Sequence, residues 1–359
     1  MLNCRNTLYL ICWLVVLSLA GGCAGIVGDV TVPPPQLTVA EQARVGSAVE
    51  AKLIQMLGGP YHDQMLVKDL NRLVSSAQPF SISVADKGNS ALYPLPGGRV
   101  IVTRGLLAKA NSQTNLKALL TYALSLSNKR YVGYSTRSMV EATRDLLSVS
   151  DSIYDPDSAA IRLARIFERQ ACVQECLALA QSFATSVDKS DFSQLPESIK
   201  RLASLQPGYD LAAAARQLEK DDGQAKAIAL YLQAAATTAD EPRILGALGL
   251  AYLRAGQLQP ARLHLQKAVK LQPNYYRTQM GLGYLHLQLG QFRQSNQALA
   301  RSVSMLPMTE NLFLLAEARE KSDDVEGAML LYRLIVETDR NSKLGRASVS
   351  RLEKRAGVK

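Results

Sequence analysis

The sequence predicts a mainly α-helical protein, in which a small α+β domain is followed by an α-solenoid of helical repeats. Two observations predict this: two segments of period two among helical ones, and residue types that recur every 34 positions in the C-terminal third. The chain has 359 residues, of which 47% are hydrophobic and 20% charged. This composition excludes a disordered chain, and the length allows two buried cores.

Residues 1–22 have the pattern of a signal peptide. Arg5 is their only charge, and the apolar run over 8–20 is shorter than the roughly 20 residues that a membrane-spanning helix needs. The stretch "LSLAGGC" resembles the signal of bacterial lipoproteins, which implies that Cys23 is lipidated and becomes the mature N-terminus. An ordinary secretory signal with an incidental cysteine is the alternative.

The lipoprotein resemblance predicts a chain anchored by lipid in the bacterial cell envelope. Ala24 follows the cysteine, which in Gram-negative lipoproteins is compatible with transfer to the outer membrane, facing the periplasm. Residues 23–38 are then the lipidated cysteine and a tether, where the proline triplet at 33–35 favours an extended chain.

Two cysteines remain beyond the leader, Cys172 and Cys176, four positions apart in a helical pattern. This spacing places them on one face of a helix. Buried structural thiols, a disulfide permitted by an oxidising compartment, and a metal-binding pair stay open, although no histidine lies near enough in sequence to complete a zinc site.

Residues 39–207 are predicted to form the α+β domain. Thr38 and Glu41 make a capping-box pattern at the start of a helix that runs to about Met56, where the "GGP" sequence ends it. The apolar residues of a second helix follow at helical spacing: Leu66, Leu70, Leu73 and Val74. The segments "FSISVAD" and "GGRVIVTRG" alternate with period two and predict strands, and only helices are expected from Leu107 to about Pro207.

Residues 208–341 are predicted to be an array of helical repeats. In each of three sets of residues, successive members are 34 positions apart: Tyr231, Leu265 and Leu299; Ala227, Ala261 and Ser295; Ala234, Ala268 and Ser302. This period with small residues at fixed positions resembles the tetratricopeptide repeat, and it predicts units at 208–241, 242–275 and 276–309 and a divergent fourth at 310–341. The final segment, 342–359, is basic, with seven basic residues and one acidic residue in 340–359.

The stretch "ALYPLPGGRVIVTRGLL" and the helix after it resemble the periplasmic branch of metallopeptidase family forty-eight, which joins a zinc peptidase domain to tetratricopeptide repeats. In that family two histidines and a glutamate on the following helix hold zinc and activate water. Aligning the helix places Thr121 and Ser125 on the two histidines and Tyr122 on the glutamate. These residues offer neutral hydroxyls, so the alignment predicts a pseudopeptidase without zinc.

The third zinc ligand of the family aligns with Leu195, and a gap would bring Glu197 into register instead. The histidines of the chain, His62, His264 and His286, stand outside the family's metal positions. We therefore expect no catalytic residue and no metal or cofactor.

Two surfaces are predicted to bind protein. The family resemblance implies that Arg99, Val100, Ile101, Val102 and Thr103 form the edge strand of the former cleft, where an extended peptide would add to the sheet. The candidates for the groove of the repeats are Tyr275, Tyr276, Gln279 and Tyr284, and ordinary repeat packing is the alternative for each.

The leading hypothesis is a lipid-anchored periplasmic scaffold that binds an envelope protein or peptide through the repeat groove. By analogy with the family, its setting is outer-membrane protein assembly or quality control. An active zinc metalloendopeptidase with unrecognised ligands is the competing hypothesis, and a structural lipoprotein whose basic end contacts anionic polymer is the third. No nucleic-acid partner is expected.

Overall fold

The computed structural model describes residues 36–74, 79–129, 137–148, 155, 157–169, 189–220 and 223–357. The predictions for the signal peptide, Cys23, the proline triplet, Cys172 and Cys176 lie outside the described residues. Within these ranges, no helix combines the length and the apolar character that crossing a membrane requires.

The N-terminal part of the structure surrounds a small sheet with helices. Its elements are α1 (Val39–Met56), α2 (Gln64–Leu73), β1 (Ser81–Ala85), β2 (Leu92–Leu95), β3 (Arg99–Thr103), α3 (Arg104–Leu107), α4 (Gln113–Lys129), α5 (Arg137–Ser148), α6 (Ala159–Arg169) and a 3₁₀ helix (Lys189–Gln194). The predicted capping box of α1 is confirmed: the Thr38 hydroxyl oxygen accepts from the Glu41 N–H, and the Glu41 carboxylate accepts from the Thr38 N–H.

The sheet has the strand order β1–β3–β2, with β1 parallel and β2 antiparallel to β3. Both of its faces are covered, because side chains that alternate along β3 enter different cores. Val100 and Val102 pack with α2 and α4, whereas Ile101 packs with α1, α5 and α6. The sheet is thus the middle layer between two layers of helices.

The C-terminal part is a stack of helices. Its elements are α7 (Glu197–Lys220), α8 (Gln224–Thr237), α9 (Pro242–Arg254), α10 (Leu258–Leu271), α11 (Tyr276–Gln288), α12 (Phe292–Met305), α13 (Thr309–Lys321), α14 (Val325–Asp339) and α15 (Lys343–Ala356). The predicted domain boundary at 207/208 lies inside α7. Ile199 and Leu202 of this helix complete the core beside the sheet, while Tyr209 and Ala212 pack in the core of α8 and α9.

Small residues let the paired helices of the repeats approach closely. A Cβ atom added at Gly249 of α9 would lie 3.0 Å from the Leu265 nitrogen of α10, and one at Gly283 of α11 would lie 3.2 Å from the Leu299 nitrogen of α12. The first helices of successive units also touch: α9 contacts α11, α11 contacts α13, and α13 contacts α15. They therefore line the inner side of the array, as in other solenoids.

Candidate functional site

The positions aligned with zinc ligands on α4 carry hydroxyls that are bonded to their own helix. Thr121 donates to the Lys117 carbonyl at 2.8 Å, and Ser125 donates to the Tyr122 carbonyl at 2.7 Å. All three aligned side chains, Thr121, Tyr122 and Ser125, are exposed. Their arrangement is that of a solvated helix face, and hydroxyls of this kind are not the nitrogen, thiolate or carboxylate ligands that zinc takes.

The position of the third ligand does not meet this face. Leu195 is 2% exposed and lies in the core on the buried side of α4, with Leu120 and Leu124. Glu197, the alternative, starts α7 with an 86% exposed side chain and pairs with Lys200 at 2.8 Å. Among the residues that the structure describes, no group of three or more His, Cys, Asp or Glu side chains is placed to bind a metal.

The run Arg99–Thr103 is the central strand β3, so the prediction that it forms an edge was wrong. Arg99, Val100, Ile101, Val102 and Thr103 pair in register with β1, and the first four also pair with β2. The missed strand β2 contains Pro94, a residue that usually marks the limits of a strand. Because β3 has a neighbour on each side, it offers no free backbone for strand addition.

The N-terminal part contacts the repeats at the connections between successive units, from α10 to α11 and from α12 to α13. Lys52 of α1 donates to the carbonyls of Ser304 and Met305, at 3.2 and 3.1 Å. Gln55 donates to the Asn274 carbonyl at 2.8 Å, and its own side-chain oxygen accepts from the Tyr276 N–H at 3.1 Å. Polar side chains of α1 therefore meet backbone groups of the repeats along this end, which we call the junction.

A buried carboxylate stands at the centre of the junction. Glu241, just before α9, is 1% exposed and accepts from the hydroxyls of Tyr209 at 2.6 Å and Tyr61 at 3.3 Å. The His62 Nδ1 atom lies 3.9 Å from the same carboxylate. Burial raises the pKa of the Glu241 carboxyl, while the Tyr209 hydrogen bond opposes that shift.

A buried ion pair lies beside this carboxylate. The Arg104 Nε atom is 2.9 Å from the Asp86 carboxylate, and the two side chains are 3% and 2% exposed. The Arg104 guanidinium lies 3.3 Å from the ring centroid of Tyr209 and donates to Gln206 at 3.1 Å. Arg104 thus ties β1 and α3 to the middle of α7, so the orientation of α7 depends on this pair.

The predicted groove residues have different surroundings. Tyr275 is 8% exposed and covers Gly59 of the N-terminal part, and its neighbour Tyr276 is bound by Gln55 through its backbone. Gln279 is 1% exposed and donates to the Pro273 carbonyl at 2.9 Å, so it packs inside the array and not on a surface. Tyr284, on α11, remains partly exposed.

The comparisons with known proteins agree with the repeat prediction. A tetratricopeptide repeat family model matches residues 242–275, the second unit that the sequence predicts. No curated protein matches the chain. The matched unit corresponds to the pair α9 and α10.

Several solved structures resemble part of the chain. MamA from Desulfovibrio magneticus RS-1 is 16% identical with a TM-score of 0.35, over 42% of this chain and 94% of that one. PilW, a type IV pilus biogenesis factor, is 16% identical with a TM-score of 0.36, over 48% and 79%. YrrB, a TPR protein with an unusual peptide-binding site, is 14% identical with a TM-score of 0.35, over 49% and 89%. Scores this low support no inference about this chain.

The matched unit and the stack of paired helices define the class of protein. The chain contains a tetratricopeptide repeat at residues 242–275, within a stack of paired helices. Arrays of such repeats use their inner surface for protein binding.

Proposed function

We propose that this chain is a lipid-anchored scaffold of the bacterial cell envelope, which binds another envelope protein through the inner surface of its repeats. The observation that carries the proposal is the row of first helices, α9, α11, α13 and α15, that touch one another along one side of the array. The lipoprotein-like sequence at Cys23 supports the anchor. Outer-membrane protein assembly or quality control is the proposed setting.

The partner surface that we propose centres on apolar side chains of the first helices. Tyr284 and Leu287 of α11 and Leu314 of α13 are partly exposed, although each packs at its base against a core. Such side chains bind a partner at small cost in conformational entropy, because their bases are already fixed.

A photo-crosslinking side chain in place of Tyr284 is expected to capture a partner in the cell envelope. The control is the same substitution at Leu263, which is 66% exposed on a second helix. We expect crosslinked products of defined mass from position 284 but not from position 263. These products should be found in the membrane fraction, and Cys23→Ser should move them to the soluble fraction. Equal labelling at both positions would contradict the proposal.

We further propose that the N-terminal domain is a pseudopeptidase. The exposed hydroxyls of Thr121 and Ser125 and the buried Leu195 support this, because none is a zinc ligand.

The purified mature chain is expected to contain no stoichiometric zinc by elemental analysis and to leave casein intact. Thr121→Ala and Ser125→Ala should change the free energy of unfolding by no more than about 0.5 kcal/mol each, because both sites are exposed. Stoichiometric zinc together with chelator-sensitive cleavage would favour the competing hypothesis, an active metalloendopeptidase with other ligands.

A further inference from the structure

The segment Gly58–His62 connects α1 to α2 and lies between the sheet and the repeats. It begins as the turn that ends α1, where the N–H groups of Gly58 and Gly59 donate to the carbonyls of Gln55 and Ile54, and it then runs beside β1. One side of it adds to β1: the Tyr61 N–H donates to the Val84 carbonyl at 2.8 Å, and the Asp86 N–H donates to the Gly59 carbonyl at 2.9 Å. Pro60 and Ala85 form an antiparallel bridge. The carbonyls of Gly58 and Pro60 face the repeats instead.

Side chains of the 242–275 unit and its flanks bind that second side. Arg243 donates to the Gly58 carbonyl at 2.8 Å, and Gln272 donates to the Pro60 carbonyl. Glu241 accepts from the Tyr61 hydroxyl at 3.3 Å. Two backbone carbonyls and one phenol are therefore recognised together, which is how peptide-binding surfaces combine main-chain bonding with a side-chain pocket.

The same surface selects small residues. Gly58 and Gly59 have φ values of +104° and +88°, a region that favours glycine. A Cβ atom at Gly59 would lie 2.7 Å from the Tyr275 ring, and one at Gly58 would meet the Arg243 guanidinium. The surface thus fits two glycines, a proline and a tyrosine in sequence.

The contact between the sheet domain and α9–α12 is polar. Among the described residues, no hydrophobic cluster joins the sheet to any of α8–α15. Polar contacts between domains resemble those of transient complexes, which separate readily. Within α7 the change from the core beside the sheet to the repeat core falls between Leu202 and Leu205. Pro207 removes the helical hydrogen bond to the carbonyl four residues earlier, and this marks a bending point next to that change.

We propose that Glu241, Arg243, Gln272 and Tyr275 form a peptide-recognition site that the chain fills with its own segment Gly58–His62. A partner segment with the sequence pattern Gly-Gly-Pro-Tyr exchanges with it when the two parts separate at Pro207. This inference rests on the proposed scaffold function and adds the chemistry of one partner. The chain's own segment competes for the site at an effective concentration on the order of mM. A free peptide therefore binds weakly while this segment occupies the site.

The test uses a fluorescent peptide with the sequence of residues 54–63 and the purified mature chain, with binding followed by fluorescence anisotropy. Gly59→Ala leaves all four repeat side chains intact but prevents the chain's own segment from seating against Tyr275. We expect the peptide to bind this variant at least about tenfold more tightly than the unchanged chain, because the competitor is removed. In the double variant Gly59→Ala, Arg243→Ala, the affinity for the peptide should return to that of the unchanged chain.

A control peptide that carries phenylalanine in place of tyrosine should bind the Gly59→Ala variant about fivefold more weakly, the effect of one lost hydrogen bond. The proposal is overturned if Gly59→Ala has the circular dichroism of the unchanged chain yet binds no peptide, or if binding is unaffected by Arg243→Ala.

Should Gly59→Ala not fold, Tyr61→Phe replaces it, since this change keeps the ring and removes only the donor to Glu241. An about threefold tighter binding of the tyrosine peptide is then expected, and unchanged affinity overturns the inference. Crosslinking at Tyr284 is independent of this site. Its success together with a failed peptide test would therefore refute the present inference alone, whereas its failure would refute the scaffold function.

Discussion

Replacing Asp86 with alanine is expected to destabilise the protein by about 3–5 kcal/mol, because it leaves the Arg104 charge buried without its partner. The two side chains are 2% and 3% exposed, so water cannot replace the lost carboxylate without opening the structure. The measurement is the urea midpoint of unfolding, followed by circular dichroism. A loss below about 1 kcal/mol would show that the pair is hydrated in solution.

The double variant Asp86→Ala, Arg104→Met separates the cost of the unpaired charge from the loss of packing. Methionine keeps an apolar contact with Tyr209 and brings no charge, so we expect it to recover part of the stability that Asp86→Ala removes. Arg137 and Glu141 provide a matched exposed pair, with side chains 74% and 57% exposed. Glu141→Ala should change the stability by about 0.5 kcal/mol or less.

Leu265→Ala is expected to cost about 2–5 kcal/mol, whereas Leu263→Ala in the same helix should stay within about 0.5 kcal/mol. Leu265 is fully buried and its side chain lies between Gly249 of α9 and Gly281 of α11. Glycines have no side chains that move to fill the cavity. Leu263 is 66% exposed and serves as the control for helix propensity, since both variants exchange leucine for alanine within α10.

Urea unfolding of the two variants gives the comparison directly. A large loss of unfolding free energy in Leu265→Ala, with none in Leu263→Ala, would agree with a continuous core through the repeats. Similar small losses for both would show that α10 is not packed between the first helices as the structure has it.

The sequence predicts the repeats well because their signal is repeated. Small and large residues at 34-residue intervals reinforce one another, and Tyr231, Leu265 and Leu299 are all nearly or fully buried. Strand β2 was missed for a physical reason. Its four residues, "LYPL", are all buried and do not alternate, and Pro94 argues against a strand, so the pattern resembles a loop.

The candidate sites were only partly predictable. The positions on α4 came from aligning one continuous segment with the family that it resembles, but the junction joins residues far apart in the chain. Tyr61 and Glu241 are separated by 180 positions, and Asp86 and Arg104 by 18. No periodicity relates such residues. The edge-strand prediction failed because it depended on which strands neighbour Arg99–Thr103, and β2 gave no signal.

The helix α7 has a consequence for the order in which the chain folds. Ile199 and Leu202 complete the core beside the sheet, so a chain that emerges from its N-terminus cannot close that core until residues near 202 are free to fold. The apolar side chains of Tyr209 and Ala212 then emerge before α8 and α9 exist to cover them. A chain that emerges in this order therefore passes through a stage in which a closed core carries the uncovered apolar end of α7, and this is the stage at which a chaperone would help it most.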